Sequence, residues 1–418
     1  MYQVSKTQPE DWVYVSEGGA TIVLAYAGLP NADFDGKVLR LRKTAISNTE
    51  ESQLTDEPDD PTIAFQHGII AKLIPPQHLP ELEVVLLDAA WLKVLSDLRD
   101  VDRPVTRRQK DRIDLTRRKG VLATDLIGTA DLAVEIKPKW GFLPTPTHLS
   151  PSTVSVKTQT CRFCRHNYLR SNKGKDIPST YCPLDLYSGN RERVAKAVHD
   201  LWSGWCASDG SLNNCRLFAK GKMVKMSDPS AMKLLSESLA TEGELSHLES
   251  SFTNAILDLL IDSPVLRTIS YLQRSLDPLD IEGLATLCRR SHHTASELAS
   301  TFSTLASGVP EPYFSDWEDF IHVFKTRYSS WDHTVPNCDH LKHYLMAYLL
   351  SATFKDCSII LRPILPSGKS SSGGTVTIID LDVKSMGSLA KWEKLDREIV
   401  EFYREVKEPK RCVDARIA

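Results

Sequence analysis

No run of apolar residues in this chain approaches the length of a membrane-spanning helix. The first residues, Met1-Tyr2-Gln3-Val4-Ser5-Lys6, lack the apolar stretch of a secretory signal. Net charge is scarce as well. It is −3 over 418 residues, which excludes a polycation and leaves any anion site to local clustering. The most basic segment lacks the alternating aromatics of a single-strand binder. A finished zinc-finger spacing is also missing. Cys161-x-x-Cys164 has His166 and Cys182 nearby, but no second Cys-x-x-Cys and no His pair at finger spacing completes it. The nine cysteines are odd in number, and Cys215 and Cys357 sit in apolar or strand-like stretches. Reduced thiols in the cytosol or nucleus are therefore expected.

Hydrophobic residues make up 41% of the chain, enough core for two or three domains or one large two-lobed unit. Its centre of interest is Glu135-Ile136-Lys137-Pro138-Lys139-Trp140-Gly141-Phe142-Leu143-Pro144, which follows a buried-strand run at Leu132–Val134. In an extended segment Lys137 and Lys139 share a face, and Glu135 joins them if the strand persists. Two fixed ammonium groups make a seat for a polyanion, although a solvated strand end has the same charge pattern.

Towards the N-terminus, Trp12–Val15, Thr21–Tyr26 and Lys37–Arg42 read as strands, with a turn at Ser16-Glu17-Gly18-Gly19-Ala20. Strand, glycine turn, strand and a strand cation, here Arg40, open a kinase-type N-lobe. A plain hairpin turn reads the same way. Residues 44–61 read as a mobile polar loop. Residues 103–119 hold Arg103, Arg107, Arg108, Lys110, Arg112, Arg117, Arg118 and Lys119 against Asp111 and Asp114, as a solvated face or a phosphate ligand would require. Val121–Asp125 is a short strand running into a hinge.

Arg162, His166 and Arg170 fall at i, i+4 and i+8 of a helix and would form a cationic ridge; zinc binding by Cys161, Cys164 and Cys182 is the rival reading. Asn213 and Asn214 sit at a loop-to-strand step, orienting a ligand or satisfying a turn. The pair His292-His293 reads as surface. Near the C-terminus Asp356–Leu361 and Thr375–Asp382 read as two strands. Paired antiparallel, they bring Asp356 and Asp380 to the same end of a hairpin, with Lys384 just beyond. Paired carboxylates beside cations suit phosphoryl transfer, one holding Mg²⁺ and the other acting on a hydroxyl. Ordinary strand-end aspartates are the alternative.

Together these residues resemble the inositol-pentakisphosphate 2-kinase family, from Trp12 to Tyr403. The motifs are Glu17-Gly18-Gly19-Ala20, the Glu135–Pro144 block, Arg162-Phe163 with His166, Pro183-Leu184-Asp185-Leu186-Tyr187-Ser188-Gly189, Leu279-Asp280-Ile281-Glu282-Gly283, Lys355-Asp356-Cys357-Ser358-Ile359, and Ile379-Asp380-Leu381 with Lys384. The resemblance implies an α+β, two-lobed, distantly protein-kinase-like fold. An antiparallel-sheet N-lobe would span residues 1–124, and a larger α/β C-lobe with an inositide-binding region would span 125–418.

The implied reaction moves the γ-phosphoryl of ATP, with Mg²⁺, to the 2-hydroxyl of inositol 1,3,4,5,6-pentakisphosphate. Glu17, Gly18, Gly19, Ala20, Arg40 and Asp125 would attend ATP. Lys137, Lys139, Arg162, His166, Arg170, Asn213 and Asn214 would line the inositide region, with Arg107 a looser match. Asp356 would be the base, Asp380 the Mg²⁺ ligand and Lys384 a phosphate contact. Some members carry a Cys/His zinc site after the Asp-Ile-Glu-Gly motif. Here Thr286 stands at its first position and its Cys-x-x-Cys is missing, so no zinc is expected. Ser388 replaces a basic residue, with Lys391 nearby, and Arg170 replaces a lysine. A monomer without membrane or nucleic-acid partners, nuclear or cytoplasmic, is expected. The rivals are a kinase for another inositol phosphate and an inactive inositol-phosphate binder.

Overall fold

The computed structural model describes residues 1–47, 57–241, 244–291, 310–365 and 373–415. It is a mixed α+β structure whose contacts divide it into two units.

The first unit comprises Met1–Ala71 and Pro75–Ala130. Its strands are β1 (Tyr2–Gln3), β2 (Trp12–Glu17), β3 (Thr21–Tyr26), β4 (Lys37–Ala45), β5 (Leu82–Leu86), β6 (Asp111–Ile113) and β7 (Lys119–Thr124). They form one sheet in the order β1-β5-β7-β4-β3-β2, with β6 also on β4. Side chains alternate across the pleat. Leu39 and Leu41 of β4 therefore join Trp12, Ile22, Leu24 and Leu122 in a core closed by Trp91, Leu92 and Leu95 of the helix Ala89–Asp100. Val38 faces the other way, into a smaller cluster with Val121, Ala123 and Ile63.

Of the loop expected over residues 44–61, residues 48–56 lie outside the described residues, and the flanks differ from the expectation. Thr44 and Ala45 still belong to β4, and Glu57 is held by Arg117 Nη1 at 2.9 Å. Asp60 caps the helix Pro61–Gly68 and takes a two-pronged bond from Arg42 at 2.6 and 2.7 Å. Burial would raise the Asp60 carboxyl, but the Arg42 and Thr62 bonds outweigh it and bring it down to about 2.

The second unit comprises Lys72–Ile74 and the chain from Asp131 onward. Its antiparallel sheet joins β8 (Leu132–Ile136), β9 (Cys215–Ala219), β10 (Lys222–Met223), β11 (Ser358–Ile364) and β12 (Gly373–Ile379) in the order β10-β9-β8-β11-β12. The central strand β8 is buried along its whole length, as its near-continuous apolar run requires. The helix Arg191–Ala207 is capped by Asn190, whose side chain accepts from Arg193 N. Its buried stripe includes Val194, Ala197, Val198, Leu201, Trp202 and Trp205. In the closing helix, Leu389–Arg404, the buried face carries Leu389, Ile399, Val400 and Tyr403. The pair His292-His293 lies outside the described residues.

One boundary differs from expectation. Asp356 ends the helix Leu341–Asp356 rather than starting a strand, and β11 begins at Ser358. The last turn stays helical because it is anchored. Lys355 makes a buried pair with Asp277 at 2.5 Å, and Gln273 Nε2 donates to Phe354 O at 2.9 Å.

Candidate functional site

Three strand ends meet in the second unit. Ile136 of β8 pairs with Ile359 of β11, and Ser358 pairs with Ile379 of β12. That register sets Lys137, Asp356 and Asp380 beside one another. Lys137 Nζ lies 3.1 Å from Asp380 Oδ2, and Lys139 Nζ lies 3.5 Å from Asp356 Oδ1. Lys384 Nζ lies 3.0 Å from Asp356 Oδ2. The strand does not persist past Ile136, so Glu135 does not point with the lysines. Its oxygens face Ser358 Oγ at 2.9 Å and Arg216 Nη1 at 3.3 Å. Ser358 Oγ is also 3.0 Å from Asp380 Oδ2, linking the buried carboxylate to the open one.

The backbone is held in unusual shapes here. Lys139 and Asp380 have φ of 65° and 62°, a region non-glycine residues seldom occupy and that gathers at functional sites. Buried Gln273 fixes the lysine loop from below. Its Oε1 accepts from Gly141 N at 2.7 Å, and its Nε2 donates to Lys139 O at 2.9 Å. Gly141 is obligatory for space, since a Cβ there would stand 2.9 Å from the Tyr187 ring.

Burial would raise the Asp356 carboxyl, but the ammonium groups of Lys139 and Lys384 outweigh it and hold it below the usual range. Burial would lower Lys137, yet Asp380 overcomes it and the pKa rises. For Lys139 burial wins, helped by Lys137 and opposed by Asp356, so the pKa falls.

Beside these groups opens a cavity of about 470 Å³, lined by Lys139, Arg162, His166, Arg170, Asn213, Asn214, Asp356 and Lys384 among others. Ligand clefts are typically about 300–1,000 Å³. Arg162, His166 and Arg170 project from one helix, Arg162–Asn172, as their spacing requires. Arg170 is forked onto Asp176. Arg162 Nε lies 3.0 Å from Asp396 Oδ1, and its guanidinium sits 4.9 Å over the Trp140 ring. His166 adds no charge to the ridge. Burial, then Arg162 and Arg170, push its imidazole down to about 4.

Behind this helix lies a buried network of which the quoted motifs held only Asp280. Lys157 pairs with Asp280, and with Asp396 Oδ2 at 2.8 Å, so Asp396 bridges Lys157 and Arg162. A lysine in a four-residue helix, Val154–Lys157, offered no periodic signal. Gln273 was equally silent, a polar residue on the apolar face of Val265–Ser275.

The remaining candidates lie in the first unit. Glu17 ends β2, and its side chain, 2% exposed, is enclosed by Lys43 at 2.8 Å and Arg103 at 2.9 Å. Gly18, Gly19 and Ala20 form the exposed turn of the β2–β3 hairpin. Arg107 reaches Gly18 O at 3.4 Å, so it accompanies this turn and not the cavity-lining residues. Arg40 sits half-buried on β4 between Val23 and Val121. Asp125 turns its carboxylate into its own loop, accepting from Ile127 N at 2.9 Å and Gly128 N at 2.7 Å.

Two places suit a metal. Asp380, 45% exposed, can hold Mg²⁺, which commonly uses one or two carboxylates plus substrate phosphates. The second is a sulfur cluster. The spacing Cys161-x-x-Cys164 with Cys182 lacked a fourth ligand in the sequence, and the fold supplies it from Cys412.

The profile of a family described as inositol-pentakisphosphate 2-kinase matches residues 14–398. The chain is 33% identical over 422 residues to an inositol-pentakisphosphate 2-kinase of Cryptococcus neoformans var. neoformans serotype D, covering 96% of this chain and 95% of that one. It is 27% identical to a protein of that name from Arabidopsis thaliana, covering 94% and 93%. For one from Danio rerio the identity is 25%, covering 96% and 94%. The chain therefore belongs to the inositol-pentakisphosphate 2-kinase family.

Proposed function

We infer that this chain phosphorylates the 2-hydroxyl of inositol 1,3,4,5,6-pentakisphosphate, with ATP as donor, to give the hexakisphosphate. Family membership over nearly the whole chain supports the reaction. The observation that carries the choice of site is the position of Asp356, at the rim of a cavity whose cations come from four separate segments: Lys139, the helix Arg162–Asn172, Lys355 and Lys384.

Arg162 and Arg170 bind ring phosphates in forked bonds, with Lys139 and Lys384 as point charges and Asn213 and Asn214 as orienting amides. Each cation already has a carboxylate partner, so it is in place before substrate arrives and little reorganisation is needed. When phosphates draw Lys139 and Lys384 away, Asp356 loses the two groups that most depress its basicity. It then takes the proton of the 2-hydroxyl as that oxygen attacks phosphorus. Lys137 holds Asp380 and faces the transferring group. Asp380 would hold Mg²⁺, which would supply charge neutralisation during the transfer.

For ATP we propose a two-lobed, protein-kinase-like arrangement in which the backbone of Gly18, Gly19 and Ala20, with Arg40, attends the phosphates. Glu17 and Asp125 serve it by fixing the turn and the loop after β7. A nuclear or cytoplasmic setting fits this chemistry.

The test is transfer from γ-labelled ATP with Mg²⁺ to a panel of inositol phosphates, with product positions read by NMR. A 2-phosphorylated hexakisphosphate is expected. Transfer to another position or another acceptor would replace this reading with a different specificity. Binding without transfer would replace it with a binding protein.

A further inference from the structure

Four cysteines from three distant parts of the chain converge below the phosphate-facing helix. Cys161 and Cys164 stand at its first turn, Cys182 precedes the short helix Pro183–Leu186, and Cys412 comes from the C-terminal tail. All four sulfurs lie within 4.8 Å of one another, and all four residues are buried. The Sγ atoms of Cys161 and Cys182 are 3.9 Å apart, far too long for a disulfide bond of about 2.05 Å. A tetrahedral zinc with Zn–S of about 2.3 Å sets its sulfurs roughly 3.8 Å apart. We propose that Cys161, Cys164, Cys182 and Cys412 bind one structural zinc ion as four thiolates.

The surroundings fit that ion. Cys164 N donates to Cys161 Sγ at 3.4 Å, a bond that orients a thiolate at a helix N-terminus. The segments that carry the sulfurs are tied to one another. Cys412 N donates to Gln159 O at 2.9 Å, Thr160 Oγ1 donates to Lys410 O at 2.6 Å, and Lys410 Nζ donates to Thr180 O at 2.7 Å. The site closes on all sides against Leu143, Phe163 and Leu184. With four protein ligands and no open position, it is structural rather than catalytic.

A four-thiolate zinc carries two negative charges, and nearby cations meet them. Lys410 lies two residues before Cys412, and Arg165 directly follows Cys164. Arg165 is 1% exposed, and its Nε and Nη1 have no hydrogen-bond partner among the described residues. A buried guanidinium with idle donors is costly beside neutral thiols and well suited to an anionic cluster. The tight sulfur spacing suits one ion and leaves no room for a multi-iron cluster.

The site staples the tail to the helix that presents Arg162, His166 and Arg170. The staple positions these residues and touches no substrate atom. It is independent of which inositol phosphate the cavity accepts.

The test is metal analysis of the full chain, purified without chelator. One zinc per chain is expected, with loss of most of it in Cys412→Ser and in Cys182→Ser, and retention in Cys206→Ser. Cys412→His, which leaves three thiolates and an imidazole, should recover zinc. Cobalt put in zinc's place should give sulfur-to-cobalt charge transfer and the intense visible bands of a tetrahedral site, a readout on the parent chain that does not depend on any variant folding. Loss of the staple in Cys412→Ser should raise KM for the phosphorylated acceptor several-fold while kcat changes little. A zinc-free chain whose four thiols react freely, a disulfide among them, or full zinc retention in Cys412→Ser would each overturn the proposal. None of these outcomes bears on the phosphoryl-transfer reading, which is judged by its product.

Discussion

Asp356 and Lys384 meet at 3.0 Å, one at the end of a helix and the other a few residues past β12. Lys139 approaches the same carboxylate from the far side. Asp356 is thus ionised at neutral pH and waits with its counter-charges in place. Asp356→Asn should lower kcat by roughly 10²–10⁴, the range that a general base contributes, while the chain stays folded with at most a small fall in melting temperature, because the side chain is 58% exposed. Steady-state rates with thermal unfolding of the same variant check this. An unchanged rate would remove Asp356 from the mechanism.

Lys384 tests the coupling. In Lys384→Ala the Asp356 carboxyl loses one of the ammonium groups that oppose its burial, so its pKa should rise. The acid limb of the rate profile should move to higher pH. A charge-assisted hydrogen bond to a phosphate is worth about 1.5–3 kcal/mol, so KM for the acceptor should rise roughly tenfold or more. An acid limb that stays in place would show that Asp356 does not govern it.

Much of this site could be read before any coordinates, because its residues come in short motifs with fixed spacing. Arg162, His166 and Arg170 needed only helical periodicity. The hairpin argument placed Asp356 and Asp380 at one end, and the register Ser358–Ile379 puts them there, although Asp356 belongs to the helix. Other features resisted. The charge of His166 depends on burial. Gln273, Lys157 and Asp396 act through contacts more than a hundred residues away, for which no local pattern exists. Cys412 illustrates the same limit, since three cysteines in a 22-residue stretch looked like an unfinished site until the tail folded back.

Asp396 should matter to stability before it matters to rate. It is buried between Lys157 and Arg162. Burial would raise its carboxyl, but Lys157, Arg162 and Arg165 outweigh this and hold it far below the usual range. Its stabilisation is therefore complete above the ordinary carboxylate pKa and disappears as pH falls towards the depressed folded value. Asp396→Asn takes the carboxylate partner from Arg162 and one of the carboxylates from Lys157, which keeps Asp280, and breaking such a buried pair costs about 3–5 kcal/mol. Urea unfolding from pH 7 down to pH 3 should show a large deficit at neutral pH that narrows on acidification. A deficit independent of pH would point to lost packing instead.

Glu17 offers the sharpest contrast between a motif reading and a structural one. It opens the Glu-Gly-Gly-Ala turn, and the resemblance gives that turn to ATP. Yet its carboxylate is committed to Lys43 and Arg103, and Arg103 also takes Asp111 Oδ1 at 2.5 Å. Burial would raise the Glu17 carboxyl, but the bonds from Arg103 and Lys43 outweigh it and lower the pKa. The stability it lends is present above the ordinary glutamate pKa and is lost as pH falls through the lowered value. Glu17→Gln keeps the shape and removes the charge, leaving Lys43 and Arg103 less than fully compensated in a buried site, which costs about 3–5 kcal/mol. The expected phenotype is a melting temperature several degrees lower with KM for ATP within about twofold, because a glutamine still supports the turn. Saturating nucleotide should then recover part of the lost melting temperature through binding to the folded chain. A large rise in KM for ATP without loss of stability would give Glu17 to the nucleotide and take it out of the role of anchor.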